Sequence, residues 1–273
     1  NDDDNESDFA KALAVDSSNR VIVSGYASLY GGGTSNTNDI YTLGYPADGA
    51  PATWTDQYNG PSGNDDRSSA VATAVDGSDN AVVAGYGKNA LFNDDIYVIK
   101  YSADGMPQTP LWTAVPYDGG GNDQPADVAY DQNDDIFVVG KTWNGSDFDY
   151  FVAKYNGVDG SLAWGGVPRF YNGAGNSTDY ANSLAVDMEG NLYVTGYSVG
   201  SGGSGDIVTI KYDGVDGTIM SGWPKTYDGG AYDNGVSIAI DNINNDVVIA
   251  GTTFKGPGNH DVMVVRYSAD GVE

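Results

Sequence analysis

The sequence predicts an all-β fold: a β-propeller with five visible four-stranded repeat units, the last lacking its outer strand. Three observations predict it. A segment running from Asp to Tyr, six positions apart, occurs five times: Asp39–Tyr45, Asp95–Tyr101, Asp149–Tyr155, Asp206–Tyr212 and Asp261–Tyr267. An Asp closing a run rich in small residues recurs at Asp16, Asp76, Asp131, Asp187 and Asp241, in steps of 60, 55, 56 and 54 residues. A Trp followed by Tyr-Asn/Asp-Gly recurs at Trp54, Trp112, Trp164 and Trp223. Tandem units of about 50 residues, each with short β-branched and aromatic runs between turn residues, are the pattern of propeller blades. No run shows a convincing helical period.

Each unit can be justified strand by strand. The first strand is small-sided (Ala10, Ala12, Ala14; Ala70, Ala72, Ala74; Ala181, Ser183, Ala185), which suits crowding near a central axis. The second carries a Gly nine or ten residues after the Asp: Gly25, Gly85, Gly140, Gly196 and Gly251. The third is the Asp-to-Tyr segment. It runs into turns such as Asp48-Gly49 and Asp104-Gly105, a pair whose backbone twist suits antiparallel strands. The fourth strand carries the Trp and is expected at the outer edge, its ring covering a blade flank. One propeller domain, 1–273, is expected, with units 1–60, 61–119, 120–173, 174–229 and 230–273. Glu273 falls where a fifth Trp strand would begin. This reads either as a five-bladed ring with a three-stranded last blade or as part of a larger chain or assembly. No leader segment opens the sequence, in keeping with a cleaved or longer precursor.

The connections at one end of the strands are short. At the other end they are longer and more variable, as at Ser28–Asn38 and Asn59–Ser69. Variable loops on a rigid scaffold usually carry function, so binding is expected at that end.

With 12 Lys and Arg against 38 Asp and Glu, the net charge is −26. Such a surface repels phosphate backbones and anionic membranes, so nucleic-acid binding and membrane insertion are not expected. It keeps a secreted or cell-surface protein soluble and attracts cations. With no Cys, disulfides, thiolate zinc sites and iron–sulfur clusters are excluded. No apolar run approaches the ~18 residues of a membrane-spanning helix.

The copy Ala185-Val186-Asp187-Met188-Glu189-Gly190-Asn191-Leu192-Tyr193-Val194-Thr195-Gly196-Tyr197, with the Asp-to-Tyr segment and the Trp and Tyr-Asn/Asp-Gly that follow, resembles the bacterial and archaeal β-propeller repeat called SBBP. The resemblance covers nearly the whole chain. It implies the fold and a place in large secreted or surface proteins, but no uniform activity. Gly44 departs from the pattern in place of Lys, as do Lys141 and Thr252 in place of Tyr, and the family name implies seven blades against five units here.

Among chemistry-bearing residues, the recurrent carboxylates Asp39, Asp95, Asp149, Asp206 and Asp261 are the binding candidates. As a functional set they would form a ring that takes cations or sugar hydroxyls. As a structural device each would accept backbone N–H bonds and pin a loop. Asp131-Gln132-Asn133-Asp134-Asp135 has the spacing that opens an EF-hand, but Ile136 and Thr142 stand where that loop needs Gly and Glu, so a hairpin turn is expected. The Trp residues fit blade packing better than one sugar platform per blade. His260 alone cannot make a typical zinc site, and neither a G-x-S-x-G elbow nor a Walker loop occurs. No metal-ligand set and no cofactor is assigned; calcium is admitted by the charge alone. The expected function is a non-enzymatic extracellular or cell-surface scaffold, adhesion or protein-interaction module, its partner a protein or surface glycan. A lectin-like propeller is the alternative, and a five-bladed glycosidase, needing two carboxylates about 5–10 Å apart, comes third.

Overall fold

The computed structural model describes residues 8–29, 37–60, 66–67, 73–104, 110–241, 243–256 and 259–273. The expected positions Ala70 and Ala72, and much of the two long loops near residues 30 and 65, lie outside the described residues. Among the described residues the secondary structure is strand and turn, with no helix. The first sheet holds β1 (Asp8–Val15), β2 (Val21–Leu29), β3 (Thr37–Tyr45) and β4 (Trp54–Tyr58). In the second, β5 (Asp66–Arg67) and β6 (Thr73–Val75) share the first-strand place and both pair with β7 (Ala81–Lys88), followed by β8 (Asp94–Tyr101) and β9 (Trp112–Thr113). The third holds β10 (Gln124–Tyr130), β11 (Ile136–Trp143), β12 (Phe148–Tyr155) and β13 (Arg169–Tyr171). The fourth holds β14 (Asp179–Val186), β15 (Leu192–Val199), β16 (Gly205–Tyr212) and β17 (Lys225–Tyr227). The last holds β18 (Asp233–Asp241), β19 (Asp246–Phe254) and β20 (His260–Tyr267), three strands as the missing Trp run predicts. Strands follow sequence order within each sheet, and every pairing described is antiparallel. The chain forms two compact units: residues Asn1–Tyr130 with Asn156–Ser161, and Asp131–Tyr155 with Leu162–Glu273.

The glycine of three second strands, Gly25, Gly196 and Gly251, has a steric cause. The first strand carries a β-bulge between Ala10 and Ala12, Ala181 and Ser183, and Gly235 and Ser237. The bulge turns a carbonyl toward the second strand, so a Cβ at Gly196 would lie 1.8 Å from the Tyr180 oxygen and one at Gly25 1.9 Å from that of Phe9. Small first-strand residues have a parallel cause in the second unit. There Asn182 Nδ2 donates to Asn234 Oδ1 at 2.6 Å and to the Gly235 oxygen at 2.8 Å, and a Cβ on Gly235 would meet Thr195 Oγ1 at 2.5 Å.

The Asp that closes each first strand organises a turn and a charge pair. Asp131 Oδ1 accepts the N–H of Asn133 and of Asp135, so the stretch expected to be a hairpin turn is one. The same pattern recurs at Asp16, Asp76 and Asp187. The outer oxygen meets the lysine of the third strand: Lys100 Nζ with Asp76 at 2.7 Å, Lys154 with Asp131 at 2.8 Å, Lys211 with Asp187 at 3.4 Å. Each ammonium also donates to a carbonyl one repeat further on, Gly157, Gly214 and Ala269 respectively. In the first sheet Gly44 leaves that space to the Trp54 indole, and Asp16 is paired instead by Arg20 of its own turn.

Burial follows position in the sequence of sheets. β8 is buried along its whole length, and Val138, Val139, Phe151 and Val152 of β11 and β12 are fully enclosed, as near-continuous apolar runs require. β20 alternates exposed and buried, leaving Val262 and Val264 on an open face. Phe9, Leu13 and Val15 of β1 are exposed too.

Candidate functional site

The strand ends at which the third strands begin carry the chemistry. In the first unit, Asp95 sits near the start of β8, Asp118 follows β9, and Asp123 precedes β10. In the second unit, Asp206 begins β16 one residue in, Asp228 follows β17, and Asp233 opens β18. Each triad can place three carboxylate oxygens within 4.8 Å of one another. The backbone supplies this convergence. The Tyr-Asp-Gly that ends one repeat runs back beside the start of its own third strand, and the next repeat begins within six residues.

Within the triads the acids play different parts. Asp123 Oδ2 accepts the N–H of Gly119 at 2.6 Å, and Asp233 Oδ2 accepts that of Gly229. Asp118 and Asp228 each accept the N–H two residues on, from Gly120 and Gly230, both at 2.7 Å, and remain exposed. Asp95 is buried and accepts Asn89 Nδ2 at 2.9 Å. In the third sheet the corresponding set is Asp149, Asn172 and Asp179, with one carboxylate fewer. There Asp149 accepts Asn144 Nδ2 at 2.9 Å, while Asp179 uses both oxygens, for Gly173 N–H at 2.7 Å and Val199 N–H at 3.1 Å.

The five acids singled out in the sequence therefore divide. Asp95 and Asp206 belong to triads, and Asp149 to the Asn-containing version. Asp39 is buried and accepts Gln57 Nε2, while Asp261 is half-exposed and pairs with Lys255 at 3.3 Å. At Asp95 and Asp149 the loop-pinning considered for them takes another form. Asp95 and Asp149 take side-chain amides, whereas the backbone N–H groups go to Asp123, Asp179 and Asp233, which sequence reasoning missed. The recurring Tyr-Asp-Gly-Gly-x-x-Asp of residues 117–123 and 227–233 was the signal that could have found two of them.

Burial pushes the Asp95 carboxyl up to about 7; Asp118, Asp123 and Asp94 add to the effect and the Asn89 hydrogen bond opposes it. Burial also raises Asp206, with Asp228 and Asp233 contributing. The folded pKa of Asp95 thus lies above its unfolded value of about 3.9. Between the two, the folded chain keeps a proton that the unfolded chain has released. Stability from this group therefore falls as pH rises from about 4 to about 7. Asp95→Asn is expected to be more stable than the wild type by about 1–3 kcal/mol near pH 8, and to show no such gain near pH 4. Urea unfolding in metal-free buffer at both pH values measures this; an equal gain at both would show that titration is not the cause.

Elsewhere, a groove of about 490 Å³ on the first sheet is lined by Phe9, Val23, Tyr26, Tyr41, Leu43 and Tyr45, with Asp8 as its one carboxylate. It does not offer the paired acids of a glycosidase. The Trp rings are largely enclosed: Trp54 lies 5.7 Å from Tyr101, Trp164 5.7 Å from Phe137 and Trp223 5.5 Å from Tyr193.

This fold is that of a β-propeller assembled from sequence repeats. Residues 171–203 match the family model SBBP, described as "Beta-propeller repeat". No curated protein matches the chain. A protein of unknown function from Dyadobacter fermentans is similar in structure at TM-score 0.55 and 13% identity, over 96% of this chain and 80% of that one. The periplasmic gluconolactonase PpgL of Pseudomonas aeruginosa is similar at TM-score 0.54 and 12% identity, over 96% and 73%. The polysaccharide lyase Uly1 is similar at TM-score 0.51 and 10% identity, over 93% of this chain and 56% of that one. These likenesses bear out the propeller fold. They also correct the expectation that the chain is not an enzyme: proteins of the same fold include a gluconolactonase and a lyase, so a repeat-built propeller gives no ground for setting catalysis aside.

Proposed function

We propose that the chain is a binding module of the cell surface or the extracellular medium, which engages a protein partner through its acid-lined strand ends. The observation that carries the reading is the gathering of Asp95, Asp118 and Asp123, and of Asp206, Asp228 and Asp233, at loops rather than inside the sheets. In each triad a buried or half-buried acid backs an exposed one, Asp118 or Asp228, which concentrates negative charge where a partner can reach it. Complementary charge of this kind steers encounter and selects partners. A net charge of −26 favours cationic surfaces and supports solubility outside the cell. A surface glycan would use the same carboxylates through its hydroxyls, since Trp54, Trp164 and Trp223 are buried in packing.

The test is cross-linking of the native chain on intact cells with a carboxyl-reactive reagent, alongside fractionation. Recovery in the envelope or medium, with a cross-linked partner that is lost in Asp118→Asn/Asp228→Asn, supports the reading. Recovery in the cytosol, or cross-linking that ignores those substitutions, sinks it.

A further inference from the structure

The end of the last sheet holds buried oxygens that the protein itself does not satisfy. Asp233 is fully buried, yet only its Oδ2 is used, and Oδ1 has no hydrogen-bond partner. Thr253 stands opposite Asp233 in the register of β18 with β19, is 2% exposed, and its Oγ1 has no partner either. Both atoms border one small space: a Cβ on Gly229 would lie 2.1 Å from Thr253 Oγ1 and 2.7 Å from Asp233 Oδ1. Asp206 Oδ1 is a third oxygen without a partner. Leaving such atoms buried and unmatched is costly, so the meeting of Thr253 Oγ1 and Asp233 Oδ1 at one space, with Asp206 in the same triad, calls for a ligand.

We propose that Asp206, Asp228 and Asp233 hold a calcium ion, at a site bordered by Thr253 Oγ1. The donors are all oxygen, with neither His nor Cys among them, which is the chemistry of a hard cation. Calcium–oxygen distances of about 2.3–2.6 Å let ligands on opposite sides of the ion stand up to about 5 Å apart. The oxygens of the triad, within 4.8 Å of one another, fit inside one such shell. The third sheet is an internal control. Where Asn172 replaces the middle acid, Asp179 spends both oxygens on backbone N–H groups and is left with neither open. In the fourth and last sheets, by contrast, Asp233 keeps Oδ1 open beside Asp228. This deepens the binding reading and uses some of its residues, but it can be tested without any partner.

Calorimetric titration of calcium chloride into the full chain, first stripped with chelator, should show saturable binding with a Kd of about 0.1–1 mM, the range of extracellular calcium modules. The melting temperature should rise by several degrees at about 5 mM calcium, because the ligand binds only the folded state. Asp228→Asn, at an exposed side chain and reproducing the Asn172 arrangement, should weaken binding at this site at least roughly tenfold through loss of a ligand charge. Asp206→Asn, read the same way with circular dichroism to confirm folding, provides the second variant. Neither heat nor a melting shift up to about 5 mM would overturn the proposal. So would unchanged stoichiometry and affinity in both variants, and magnesium binding as tightly as calcium would overturn the choice of ion. Retained calcium binding in a chain that engages no partner through these acids would leave this site standing and remove the function proposed above.

Discussion

Replacing Lys154 with methionine is expected to lower the unfolding free energy by about 3–5 kcal/mol. The lysine is 7% exposed and its ammonium is fully used. It lies 2.8 Å from Asp131 Oδ2 and 3.3 Å from Asp135 Oδ2, and donates to the Gly214 carbonyl at 2.9 Å. Methionine keeps most of the apolar stem, so the loss isolates the charge. What remains is a buried Asp131 carboxylate without its cation and a carbonyl without its donor, and both costs act together. The first sheet shows what such a deletion requires. Gly44 has no ammonium, and Asp16 is kept paired by Arg20, drawn from its own turn. The third sheet has no arginine in its turn, so nothing would replace Lys154 there. Urea unfolding of the full chain measures the effect. Adding Asp131→Asn to the variant should restore a substantial part of the loss, since the amide can still accept the turn N–H groups without carrying a stranded charge. A loss below about 1 kcal/mol would mean that water reaches the pair and that the triad of contacts is ornamental to stability.

This charge pair also shows where the sequence is readable and where it is not. The Asp at the end of each first strand and the Lys of the three middle third strands, Lys100, Lys154 and Lys211, were both visible as repeat markers, because a local turn and a local strand fix them. Their pairing was not visible: it depends on how two strands separated by a third are folded together, and on a carbonyl from the following repeat. The first three strands of the units, the turns and the missing fourth strand of the last unit were legible, since each rests on short-range periodicity and turn chemistry. The fourth strand was only partly so: it carries Trp54 and Trp112, but Trp164 and Trp223 stand in the connections ahead of β13 and β17, where the ring packs without joining the ladder. The candidate site was half legible. Asp95 and Asp206 stood out because every unit has an acid there. Asp123 and Asp233 did not, although each stands eight residues before the Asp that closes its first strand, because Ser68 breaks the series in the second unit and the acid lies in a connection rather than in a recognisable strand or turn. Asp118 and Asp228 alternate with Asn59 and Asn172, and a search for symmetry discounts a position that changes chemistry from unit to unit.

Trp164→Ala is expected to cost about 3–5 kcal/mol, the cost of emptying a large aromatic site. The indole is 8% exposed and meets a different neighbour on each side. Phe137 lies 5.7 Å from its centre, the Arg169 guanidinium sits 5.4 Å over its face, and Nε1 donates to the Gly214 carbonyl at 3.3 Å. Its face also rests on Gly217, where an added Cβ would come within 2.6 Å of the ring; Trp112 rests on Gly160 in the same way. Both glycines have positive φ, 72° in each case. The glycine of the Asp-Gly turn is thus required twice over, once by the backbone conformation and once by the flat ring lying on it. Removing the ring leaves a cavity bounded by a turn and by the carbonyl that Lys154 also uses, so neither can collapse without disturbing the other. The substitution should therefore show its effect in stability before any ligand is added. Urea unfolding of Trp164→Ala, compared with Trp164→Phe, separates the cavity from the lost Nε1 hydrogen bond, with the phenylalanine variant losing less than half as much. A glycan array run on both variants below their unfolding midpoints completes the test. If Trp164→Ala unfolds like the wild type but loses a glycan signal that Trp164→Phe retains, the ring is a sugar platform after all and its packing is incidental.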